Sequence, residues 1–165
     1  MSLHLLTNVL LGIALVVYVG SKQLRWRRVD RTSVWRLPAI LGILGLVNLS
    51  SAATTLAAGP VDVALIAVEL VLAVAVGLVM GRITTFRAAA PDAKGVTIEA
   101  KTGGAGMALW IGLIAFRIGL DVVGGLLGAH LLTATGVILL TVAANRAAAA
   151  FVVDARLPRA VASRA

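Results

Sequence analysis

Glu69 in Val61–Met80, and Arg117 and Asp121 in Ala105–Leu127, are ionisable residues set deep in runs otherwise apolar enough to cross a membrane. A charge at the centre of a bilayer costs about 2.5–3.5 kcal/mol on insertion scales, so such residues pair with one another, line a polar cavity or act on a ligand. Glu69 lies eight residues in from Val61, and Arg117 lies ten in from Leu127. At about 1.5 Å of rise per residue, antiparallel helices would bring the two to one depth. Asp121 follows Arg117 by one helical turn on the same face. Asn48, in the middle of another apolar run, falls in the same layer, and His130 stands near the turn outside it.

Two kinds of chemistry fit this set. One is a polar pocket open to the outside, lined by Asp121 and His130 and floored by Glu69, Arg117 and Asn48. A carboxylate there could exchange protons, and an arginine, which stays charged, could hold an anion or a carboxylate substrate. The other is a closed network of ion pairs that fixes helix register. Arg117 has two candidate carboxylates, so it requires no external ligand. His4 and His130 are the two histidines, and with Asp62 they would bind a cation only if the bundle gathered them. No Ser-His-Asp or paired-histidine spacing supports catalysis. With no cysteine, a thiol relay, a Cys-x-x-Cys-His haem and disulfides are excluded. No catalytic residue, metal or cofactor is assigned.

The elements that must position these residues follow from hydropathy. Of 165 residues 60% are hydrophobic and 13% charged, about half the charged share of a soluble domain; the mean hydropathy is +1.02. The apolar blocks have the length a helix needs to span hydrocarbon. They predict an all-α five-helix bundle over residues 1–153, with spans near Leu3–Gly20, Leu37–Ala57, Val61–Met80, Ala105–Leu127 and Ala129–Ala150. Pro38 would open the second span in its first turn, and Gly59-Pro60 and Gly128 are turns. The positive charge follows the first run instead of preceding it, so that run reads as a retained anchor and not as a cleaved signal. The tail Asp154–Ala165 reads as basic and frayed.

The net charge of +8 is concentrated in Ser21–Arg36, Gly81–Gly104 and the tail, while the amino terminus and the turns at Gly59-Pro60 and Gly128 carry no Lys or Arg. The positive-inside rule therefore places the amino terminus outside and the connectors and carboxyl terminus in the cytoplasm. The basic residues then meet anionic lipid headgroups, and nucleic acid is not the expected partner. Within Gly81–Gly104 the β-prone stretches Ile83–Arg87 and Val96–Ala100 flank the turn-rich Pro91–Gly95; either a small hairpin on the membrane surface or an irregular basic loop would fit. Gly103–Gly106 lacks the lysine offset of a phosphate cradle and reads as a flexible lead-in. Ser50, Ser51, Thr54 and Thr55, and the small-residue pairs Gly77/Gly81, Ala115/Gly119 and Gly124/Gly128, suit close helix contacts within the bundle or between protomers.

The segment Gly81-Arg82-Ile83-Thr84-Thr85, with Ala108-Leu109-Trp110 and Arg117 in the following span, resembles the CcdC-like family of small bacterial, actinobacterial-type membrane proteins. The resemblance covers about Val61–Gly119. It implies a multi-spanning helical protein of the bacterial plasma membrane, with Arg82, Thr84 and Thr85 forming a cytoplasmic corner at the lipid interface. It implies no redox role.

Three functional classes follow, in this order. The first is an accessory or scaffold subunit of a larger membrane complex. The second is a small, dimeric transporter or channel for a proton-coupled or anionic solute, working through Glu69 and Arg117. The third is a membrane enzyme acting on a lipid or isoprenoid phosphate, for which Asp30, Asp92 and Glu99 lack the spacing to hold a metal.

Overall fold

The structure, a computed structural model, describes residues 24–55, 59–91 and 97–162. It is mostly helical, with four helices: α1 (Arg31–Thr55), α2 (Pro60–Ile83), α3 (Gly103–Leu126) and α4 (Thr135–Ala162). All four are long and apolar enough to cross a membrane. The expected span Leu3–Gly20, with His4, lies outside the described residues; the other four expected spans fall on the four helices found among the described residues.

The boundaries of two helices depart from expectation, one through a local cap and the other through tertiary contacts. The helix expected from Leu37 begins at Arg31, because Asp30 and Ser33 cap it reciprocally. The Ser33 N–H donates to Asp30 Oδ1, and the Asp30 N–H donates to Ser33 Oγ at 3.2 Å. Such a cap satisfies donors that a helix start leaves free. Pro38 thus sits inside the helix, buried, and not in its first turn. The helix expected over Ala129–Ala150 instead spans Thr135–Ala162. Its carboxyl-terminal part is held: Val153 and Leu157 are buried, Arg31 Nε meets Asp154 at 3.2 Å, and Arg156 donates to the carbonyls of Gly81 and Arg82 at 2.7 Å and of Thr84 at 3.0 Å. The tail through Ala162 is therefore helix.

α4 is the hub, packing on both α1 and α2. It runs parallel to α2, since Ala73, Gly77 and Gly81 face Asn145, Ala148 and Val152 in order. It runs antiparallel to α1, with Gly45 against Leu140 and Gly136 against the Leu49 backbone. Glycine is what permits these approaches: a methyl group on Gly77 would meet the Asn145 carbonyl, and one on Gly136 would meet Leu49. α3 lies antiparallel on α2 and less extensively packed; between them runs an apolar groove of about 590 Å³. Outward faces are apolar, with Val71 71% and Leu126 82% exposed, as lipid-facing helices require.

One end of the bundle carries a three-stranded antiparallel sheet in the order β1-β3-β2. β2 (Thr85–Ala88) and β3 (Ile98–Lys101) pair with Phe86 opposite Ala100. β1 (Arg27–Arg28) adds to the far edge of β3, Arg27 opposite Ala100. Arg87 and Glu99, cross-strand neighbours, form an ion pair at 2.7 Å, and Trp26 lies 4.3 Å beneath the Arg87 guanidinium. The opposite end of the bundle is closed by the turn between α3 and α4, where Gly128 takes φ +76°, the left-handed conformation that glycine adopts without a Cβ penalty.

Candidate functional site

The most deeply buried side chains include Glu69, Asn145, Leu132 and Val137, so the bundle centre is partly polar while its surface is apolar. α2 places Glu69 toward α3 and α4, fully buried. α3 places Arg117 opposite it, with its side chain 13% exposed. Arg117 Nη1 donates to Glu69 Oε1, and Nη2 donates to the Leu132 carbonyl. Nε reaches Asp121 Oδ2 at a long 3.4 Å, one turn along α3. The guanidinium thus joins two helices and the α3–α4 turn through one planar fork, the geometry for which arginine is suited. Glu69 Oε2 has no hydrogen-bond partner among the described residues.

Two leucines of the α3–α4 turn are buried at this end of the bundle. Leu131 and Leu132 are 3% and 1% exposed. The turn is fastened by Asp62, also buried, whose Oδ1 accepts the Leu131 N–H at 2.8 Å and whose Oδ2 accepts the Gly59 N–H at 3.1 Å. Asp62 therefore ties the start of α2 to the α3–α4 turn directly above the Glu69–Arg117 pair. Its oxygens are occupied by backbone donors, and no group of three or more His, Asp or Glu that could hold a metal occurs among the described residues.

Of the residues singled out by sequence, Glu69, Arg117 and Asp121 come together. Asn48 does not join them: it is exposed, and its amide donates to the Leu44 carbonyl one turn back in its own helix at 2.8 Å. His130 is also exposed at the turn surface, and its described hydrogen bond is made by its carbonyl, which accepts from Thr133 Oγ1 at 3.5 Å. At the sheet end Thr84 is buried and closes α2. Its hydroxyl bonds the Met80 carbonyl at 2.8 Å and lies 3.3 Å from the Thr102 hydroxyl. Thr85 Oγ1 donates to the Lys101 carbonyl at 3.0 Å. Arg82 is exposed, and its carbonyl is one of those gathered by Arg156.

Two participants were missed. The Leu132 carbonyl is a backbone acceptor and carries no side-chain signal. Asn145 Nδ2 donates to the Ala73 carbonyl at 3.0 Å; a lone amide in an apolar run was the available signal, and its spacing from Gly77 and Gly81 across the helix pair was not visible in one dimension. No protein-family model matches this chain, and neither a curated protein nor a solved structure matches it.

Proposed function

We propose that this chain is a five-span protein of the bacterial plasma membrane, amino terminus outside and carboxyl terminus cytoplasmic, that serves as an accessory or scaffold subunit of a larger membrane complex. The observation that carries the reading is the state of Arg117: its fork is taken up by Glu69, Asp121 and the Leu132 carbonyl. A cation so engaged clamps helices and leaves no free charge for a solute. The surface supports the same reading. Ala108, Gly112, Ala115 and Gly119 form an exposed small-residue stripe along α3, and a Cβ on Gly112 or Gly119 would meet nothing within 4 Å. Such stripes let a second transmembrane helix approach closely. The likeness of the Gly81–Thr85 corner to the CcdC-like family belongs to this proposal.

The test is a photo-crosslinking residue at Ala115, with another at Phe151 on α4 as control. A second polypeptide captured at Ala115, lost in Gly119→Leu and absent at Phe151, is the expected result. Lipid adducts alone at Ala115 would sink the scaffold reading, and capture of a second copy would move the dimeric transporter ahead of it.

That transporter reading is favoured by one observation, the unpartnered buried Glu69 Oε2, an acceptor that water or a proton would satisfy. Because the chain has no native cysteine, a single cysteine at Leu65 can be probed with an impermeant maleimide in intact cells. Labelling supports a hydrated path to Glu69; a silent Leu65, beside a reactive control cysteine at His130, removes it.

A further inference from the structure

Arg146, like Arg117, lies near the middle of a spanning segment, and its surroundings are unlike those of Arg117. It stands 11 residues from either end of Thr135–Leu157, about 16 Å from each along a helix. The chain has seven acidic residues. Six of them are described, and each is engaged away from Arg146: Asp30 by Ser33, Asp62 by Leu131 and Gly59, Glu69 and Asp121 by Arg117, Glu99 by Arg87, and Asp154 by Arg31. The contact Arg146 does make among the described residues is with the Trp110 ring, 5.5 Å from its guanidinium carbon. Trp110 Nε1 is itself buried without an acceptor. A cation with five donors and an indole with one thus converge with no acceptor between them among the described residues. Indole donors that are buried normally find a partner, and an intramembrane cation normally finds a counter-charge.

Arg27 adds a third donor group on the side of the sheet. In register with Ala100 and Phe86, it belongs to the sheet face that looks toward the helices, since Ala100 is buried and Phe86 lies 5.0 Å from Arg156 of α4. Arg27 is exposed. The arrangement is a basic entry from the sheet end leading to an inner cation and a neutral donor. We propose that Arg146, with Trp110 Nε1 beside it and Arg27 on the sheet side, binds a phosphate monoester or phosphate ion. An arginine fork matches phosphate oxygens two at a time, and a phosphate accepts from an indole N–H as well. This site is separate from the Glu69–Arg117 clamp and does not rest on the scaffold reading.

The test follows the three indole N–H resonances of the full chain, with that of Trp110 assigned by its loss in Trp110→Phe. The protein is placed in nanodiscs of phosphatidylcholine alone, in the same nanodiscs with added inorganic phosphate, and in nanodiscs containing phosphatidic acid. A downfield shift of the Trp110 resonance is expected on supplying a phosphate monoester or phosphate ion. A shift with phosphatidic acid alone identifies a lipid headgroup, and a shift with inorganic phosphate identifies a free anion. Arg146→Gln should weaken the response at least about tenfold, while Arg146→Lys, which keeps the charge, retains part of it. Arg27→Ala, at an exposed position, should weaken it severalfold without disturbing the fold, and so reads the proposal even if Arg146→Gln does not fold. A Trp110 resonance unmoved in both phosphate arms, or one that moves equally in wild type, Arg146→Gln and Arg27→Ala, overturns the site.

Discussion

Arg117 and Arg146 are the same residue type in two spanning helices, and their surroundings differ in kind. Arg117 is enclosed by two carboxylates and a carbonyl from three parts of the chain. Arg146 faces an aromatic ring and an unused donor. The first arrangement neutralises the charge internally and spends it on holding helices together. The second leaves a charge uncompensated by the described residues, and that imbalance is what the phosphate proposal rests on. Arginine in an apolar run is therefore ambiguous until its acceptors are counted, and counting them separates a clamp from a site.

The largest effect expected from this contrast is at Arg117. Arg117→Met strands Glu69 without its partner and should cost about 3–5 kcal/mol, read by equilibrium unfolding in mixed micelles. Glu69→Gln should cost less, because its carbonyl still accepts from Arg117. A silent Arg117→Met would dissolve the contrast. Next comes the close approach of α2 and α4: Gly77→Leu should cost about 1–3 kcal/mol by overpacking, while Gly119→Leu, in open space on α3, should leave the unfolding midpoint of the isolated chain unchanged. Asn145→Ala removes the hydrogen bond to Ala73 and should cost about 1 kcal/mol, the range of interhelical polar contacts in membranes. Arg146→Met should shift stability by less than about 1 kcal/mol in a neutral detergent, since it deletes a charge that no described carboxylate compensates. A large loss there would mean that Arg146 is structural after all. Smallest is Asp154→Asn, whose half-exposed pair with Arg31 should be worth about 0–1 kcal/mol.

Hydropathy carried much of the helical architecture, because length and apolarity alone specify a spanning helix. The boundaries were less legible. The Asp30/Ser33 cap was hidden by the basic residues around it, and the end of α4 was hidden because Val153 and Leu157 become buried only through tertiary contacts. The β-prone stretches Ile83–Arg87 and Val96–Ala100 fall on β2 and β3. Arg27-Arg28 carried no such signal, since arginine is an ordinary strand residue and it is the free edge of β3 that recruits it. At the site, depth counting brought Glu69, Arg117 and Asp121 together because a helix converts residue number into height. It misplaced Asn48 because height says nothing about which way a side chain faces. Trp110 and Arg146 lie on different helices 36 positions apart, and only packing brings them into contact.

The hub position of α4 has a consequence for the order in which the molecule is made. α1 and α2 leave the ribosome well before the helix on which both chiefly pack, and β1 must await β3, some seventy residues later in the chain. Early segments therefore have to enter and persist in the bilayer on their own hydrophobicity. α2, the most apolar of the four at a mean hydropathy of 2.8, is suited to that wait, and it carries Glu69 without a counter-charge only until α3 brings Arg117. The architecture is completed from its last helix backward, so a nascent chain halted before Thr135 would hold the spans of α1, α2 and α3 but lack the surface that joins α1 to α2.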